Sequence, residues 1–240
     1  MIRAVTSILL VVLFCYVSVM PAHSGLQDNG KSEDSDLREN EEVEGSYTAE
    51  EHFNQGRTYL VQGNEVKASE AFDMAVSIDK SFSARVPDEY YIAGLILIKD
   101  PRKSNIGIHY LNKYLSDKPD KGKELAAIFY EEGFKMVVMN KFMAHVILEN
   151  AMKLNPLYEN DEQFYLAYSV RSANKAADMI KGGELFIRRF PQSIHIPEVM
   201  YLTGDAYFEM RKIPEARDYF KKVKDRFPDS EWGKKAAKRL

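Results

Sequence analysis

Residues 201–207 read Tyr201-Leu202-Thr203-Gly204-Asp205-Ala206-Tyr207, and downstream come Ala216, Phe220 and Arg226-Phe227-Pro228-Asp229-Ser230. In a unit begun at residue 197, Gly204, Tyr207, Ala216, Phe220 and Pro228 take positions 8, 11, 20, 24 and 32. The same frame over residues 49–80 puts Gly56, Tyr59, Gly63, Ala68, Phe72 and Ala75 at positions 8, 11, 15, 20, 24 and 27. Small residues at 8 and 20 let two antiparallel helices approach closely. Aromatics at 11 and 24 fill the space beside the crossing, and Gly or Pro closes each helix. From Ala49 onward no segment alternates convincingly as a half-buried strand would.

Working outward, Gly94, Gly107, Leu111 and Pro119 outline a second unit with one extra residue in its Lys99-Asp100-Pro101-Arg102 turn. Gly133, Ala144, Leu148, Ala151 and Pro156 outline a third, shortened by one residue. Ala167 and Phe190-Pro191 outline a fourth, whose second helix carries the poorly fitting pair Gly182-Gly183. Asp229-Ser230 can cap a last helix over 231–240, the solvating end that stacked repeats need.

These residues resemble the tetratricopeptide repeat. The resemblance implies an all-α, right-handed superhelix of about five helix-turn-helix repeats over residues 49–230, closed by the capping helix at 231–240. Both Arg189-Phe190-Pro191-Gln192-Ser193 and Arg226-Phe227-Pro228-Asp229-Ser230 end a repeat with R-F-P-x-S, and residues 201–207 open one with Y-x-x-G-x-x-Y. Here the chain is similar to tetratricopeptide proteins of the Gram-negative envelope: the lipoprotein subunit of the outer-membrane β-barrel assembly machine and the division coordinator of the Tol-Pal system. It lacks the former's lipid-accepting cysteine and the latter's N-terminal heptads.

The resemblance also implies that positions 2, 5, 9, 12 and 13 line the inner wall. Position 5 supplies Phe53, Tyr91, Tyr130, Phe164 and Tyr201, an aromatic in every repeat. Beside them stand Arg57 in the first repeat and Asp205 and Phe208 in the fifth, with Glu50, Glu198 and Glu209. Rings along a groove suit a protein or peptide segment, because they offer large contact area at low entropic cost. If the frame slips by one, the same rings pack between helices instead; Tyr90 and Phe129, at position 4, show how small that slip is. On the groove reading, loss of Phe53 and Tyr201 abolishes capture of a partner and leaves helicity unchanged.

Arg3 and the apolar run Ala4–Met20, followed by Pro21-Ala22-His23-Ser24-Gly25, read as an export signal over 1–24, with periplasmic or envelope residence as the consequence. Were it retained, residues 4–20 would be the only membrane anchor. Residues 25–48 hold eight acids against two bases, a net of −6, with little apolar surface, and read as an acidic disordered linker. Residues 25–32 match the phosphate-loop pattern G-x-x-x-x-G-K-[ST], but neither a buried strand before nor a helix after is in view, so no nucleotide is expected.

With 33 bases against 36 acids, the chain of 240 residues carries −3 and lacks the basic excess of a nucleic-acid binder. Cys15, its one cysteine, lies inside the signal, so the mature chain offers no thiolate site. The histidines His52, His109, His145 and His195 stand singly, with His52 at an interhelical packing position, and no G-x-S-x-G elbow is present. The expectation is a non-catalytic scaffold without cofactor or metal. The alternatives are a small-ligand or glycan carrier, an enzyme accessory subunit, or a membrane-anchored organiser.

Overall fold

The computed structural model describes residues 47–240, which contain eleven α-helices and no strand. The expected signal over 1–24, the Gly25–Ser32 loop and nearly all of the acidic linker lie outside the described residues.

The helices pair in chain order. Repeat 1 is α1 (Ala49–Gln62) on α2 (Glu65–Ile78), and repeat 2 is α3 (Val86–Leu97) on α4 (Ser104–Asp117). Repeat 3 is α5 (Gly122–Met139) on α6 (Lys141–Leu154). Repeat 4 is α7 (Glu162–Leu166), a π-turn over Ala167–Arg171, and α8 (Ala176–Arg189). Repeat 5 is α9 (Ile196–Glu209) on α10 (Ile213–Arg226), and α11 (Glu231–Ala237) packs on both. The result is an all-α solenoid of the tetratricopeptide kind.

Local chemistry sets the boundaries. Thr48 and Glu51 form a reciprocal cap at the start of α1: the Glu51 amide donates to Thr48 Oγ1 at 3.2 Å and the Thr48 amide to Glu51 at 2.7 Å. Gly63 ends α1 in the left-handed region, φ 85°, where its amide and that of Asn64 satisfy Leu60 and Tyr59 carbonyls. Asn64, Asn140, Asp161 and Ser230 each accept an amide from the first turn they precede.

The core is where the groove expectation meets its correction. Phe53 and Phe164 have 0% of their surface exposed. The Phe53 ring lies 5.1 Å from Phe72 and 5.0 Å from Phe82, so it fills the seam between repeats 1 and 2. Phe164 stacks between Tyr130 and Tyr158, at 5.3 and 5.0 Å. The physical reason is periodicity: Ala49, Phe53, Gly56 and Leu60 recur at four, three and four residues, which makes one buried helix stripe. Removal of the Phe53 ring should therefore cost about 3–5 kcal/mol of stability, contrary to the unchanged helicity expected from a groove residue.

Repeat 4 departs most from its neighbours. Its first helix spans only Glu162–Arg171, and its second half is a π-turn in which the Ser172 amide reaches Ala167 O at 2.9 Å. Ser169 Oγ donates to Tyr165 O, and Ser172 Oγ donates to Tyr168 O, adding local bonds that compete with the regular ladder. The Gly182-Gly183 pair, poorly fitted to the repeat pattern, has a definite place here. A side chain on Gly182 would collide with the Ser169 carbonyl, and one on Gly183 would collide with the Thr203 hydroxyl of α9. Adjacent helix positions point about 100° apart, so the two glycines serve two different crossings.

Candidate functional site

The first helices of successive repeats are tied edge to edge by polar bonds about one repeat apart in sequence. Arg57 Nε donates to Glu89 at 2.9 Å, Tyr91 Oη to Glu124 at 3.3 Å, and Tyr130 Oη to Asp161 at 3.2 Å. Further along, Ser193 Oγ donates to Glu162 at 2.7 Å, Arg171 Nη2 lies 3.4 Å from Glu198, and Arg239 pairs with Asp205. Four of the predicted wall residues, Arg57, Tyr91, Tyr130 and Asp205, thus belong to one repeating set of ties.

The remaining rings are divided. Tyr91 and Tyr130 are half-buried, and desolvation followed by the neighbouring carboxylate pushes each phenol up to about 12. Both therefore stay neutral donors throughout the physiological range. Tyr201 is half-buried against Phe220 and Trp232, at 5.5 and 5.3 Å, so its ring is largely committed to the terminal helix. Phe208 is 48% exposed, with the Arg239 guanidinium 4.6 Å from its centroid.

Of the carboxylates at wall positions in the fifth repeat, two are paired: Asp205 is held by Arg239, and Glu198 by Arg171 and by His195 at 3.4 Å. Arg239, past the end of α11, thus folds back on the fifth repeat. His52 is half-exposed beside Tyr47 rather than sealed between helices. The histidine that does pack inside a crossing is His145, stacked on Tyr168 at 4.7 Å with Nδ1 3.2 Å from both Tyr168 O and Ser172 Oγ.

A site that the repeat frame did not suggest lies between repeats 3 and 4. A cleft of about 290 Å³ opens there, lined by Phe142 and His145 of α6, Tyr165 and Tyr168 of repeat 4, and Leu185 of α8. Its lining includes Gly182, which the repeat pattern marks only as a poor fit.

Among the described residues no three histidines, cysteines or carboxylates converge as a metal site, and no helix is long and apolar enough to cross a membrane. Residues 198–230 match the family model of the tetratricopeptide repeat, which supports that family for the fifth repeat and its solenoid. Proteins built of this repeat are generally scaffolds that bind other proteins. No curated protein matches the chain.

Proposed function

We propose that this protein is an exported, non-catalytic scaffold that holds a segment of another protein along the wall made by its first helices. The observation that carries the reading is the exposure of Tyr91, Tyr130 and Phe208 at predicted wall positions. These are large rings on three first helices, none sealed in the core, the two tyrosines each anchored by a polar bond that fixes its orientation. Rings held in place before binding lose little entropy on contact, which favours them as anchors for a polypeptide.

Export, and a role in an envelope assembly, rest on the signal-like residues 1–24 and on the two R-F-P-x-S endings. A photocrosslinking residue at position 91 and another at 208 should capture a partner of the same mass from envelope extract. The same probe at Asp73, exposed on α2, should capture none. Equal capture from all three positions, or none from 91 and 208, would sink the wall as a docking face. Export is checked by the mass of the mature chain, which should begin at Gly25.

A further inference from the structure

We infer that the cleft between repeats 3 and 4 is a second docking site, which takes one large apolar side chain from an acidic peptide segment of a partner. It is lined by α6, the first helix of repeat 4 and α8, and includes none of the wall residues named above.

Its collar is the turn from α5 into α6. Helix α5 ends in Val138 and Met139, 92% and 56% exposed, and past Asn140 and Lys141 comes Phe142, 58% exposed. Three large apolar side chains so exposed around one turn are unusual for a surface that meets only water, and Phe142 is also a wall of the cleft. Below it, the π-turn widens repeat 4 beside Tyr165 and Tyr168, and Gly182 lets α8 close the floor.

Size and charge narrow the occupant. At about 290 Å³ the cleft falls at the bottom of the range for whole small-molecule ligands, about 300–1,000 Å³. It suits a single anchoring side chain, with the Val138–Phe142 collar available to the flanking residues. Lys175 and Lys181 line the mouth and Lys141 adjoins Phe142, and none of the three is within salt-bridge distance of a carboxylate among the described residues. Against them stand Asp178 in the lining and Glu149, whose charge reaches Tyr168, so the rim carries a small positive excess of three lysines against two carboxylates. An acidic segment with a central aromatic or long aliphatic residue is complementary on both counts.

The test uses a dye-labelled octapeptide with a central tryptophan-leucine pair and two acidic residues at each end, followed by fluorescence anisotropy on the full chain. Saturable binding with Kd below about 1 mM is expected, weaker by about tenfold or more when the ends are lysines or the centre is serine. Phe142→Ser should weaken binding about tenfold, and the pair Lys175→Glu with Lys181→Glu should reverse the preference between acidic and basic ends. Phe142 and both lysines are exposed, so thermal melting should be nearly unchanged in these variants. Tyr91→Phe, which alters the wall, should leave this binding intact; its loss would place the peptide on the wall instead. No binding up to 1 mM, equal binding of basic peptides, or indifference to Phe142→Ser overturns the inference. A dimer of the chain that Phe142→Ser dissolves also overturns it, by assigning the patch to a second copy.

Discussion

The fourth and fifth repeats end on the same pattern, R-F-P-x-S, yet their first helices take different paths. That of repeat 5 runs fourteen regular residues, whereas that of repeat 4 gives five of α-helix and five of π-turn. The shared ending therefore governs only the turn that follows a second helix. What differs is the surface on which each first helix lies. In repeat 5, a methyl group on Gly204 of the first helix would lie 3.0 Å from the Phe220 ring edge and from the Tyr219 Cβ, both side-chain atoms. In repeat 4 the roles are exchanged: the glycine, Gly182, is on the second helix and receives backbone, the Ser169 carbonyl that the π-turn thrusts outward.

Two alanine substitutions bring this difference into the open. Gly182→Ala forces a methyl group into a main-chain carbonyl that cannot swing aside, and should cost more than about 3 kcal/mol. Gly204→Ala meets the Phe220 ring and the Tyr219 Cβ at 3.0 Å, contacts that need shift by only a few tenths of an ångström, and gains about 1 kcal/mol of helix propensity, so its net cost should be about 1–2 kcal/mol. Urea unfolding followed by circular dichroism ranks them. Equal costs would mean that repeat 4 can relax to a regular helix and that the π-turn is not held by the crossing.

The contrast also explains how far the residues could be read unaided. Gly204, Tyr207, Ala216 and Phe220 announce repeat 5 because each performs a contact specific to its position: Phe220 on Gly204, and Tyr207 on Tyr219 at 5.5 Å. Repeat 4 offered no such letters, since a π-turn changes the spacing on which any periodic frame depends. The wall was legible in type but not in depth. An aromatic at position 5 recurs in every repeat, yet Phe53 and Phe164 are sealed while Tyr91 and Tyr130 are not. A phenol that reaches a carboxylate on the next repeat leaves its ring half-buried, and a phenyl ring has no such polar tether. The cleft was illegible because it depends on a π-turn and on residues of α6, the first helix of repeat 4 and α8 that meet only in the fold.

Repeat 5 meets repeat 1 at a finer level, in the turn between paired helices. Gly63 and Arg211 both occupy position 15, and both adopt the left-handed backbone, with φ of 85° and 59°. Both place two successive amides on the closing carbonyls, those of Leu60 and Tyr59 in one case, Phe208 and Tyr207 in the other. For Arg211 that geometry carries a steric cost of about 1–2 kcal/mol that glycine escapes, partly offset by the greater freedom of glycine in the unfolded chain. Arg211→Gly should thus stabilise by up to about 1 kcal/mol, visible as a raised urea midpoint. A lowered midpoint would show that the arginine side chain repays its own backbone.

The smallest expected effect concerns the seams. Repeats 1 and 2 are joined through Glu89, whose side chain is 11% exposed beside Arg57. Repeats 4 and 5 are joined through Glu198, 20% exposed and shared by Arg171 and His195. Desolvation raises the Glu89 carboxyl above its ordinary 4.5, and the attraction of Arg57 only partly opposes it. The folded state therefore binds the Glu89 proton more tightly than the unfolded chain does. Its contribution is most favourable below pH 4.5 and declines as pH rises through the folded value. Glu89→Gln removes that decline, so the variant should gain on the native chain as pH rises from 4.5 toward 7. At neutrality the two should differ by less than about 1 kcal/mol, because burial of an ion pair roughly cancels its attraction. Urea midpoints across that range decide the matter. If the glutamine variant instead falls behind as pH rises, the Arg57–Glu89 pair is a net clamp on the first seam.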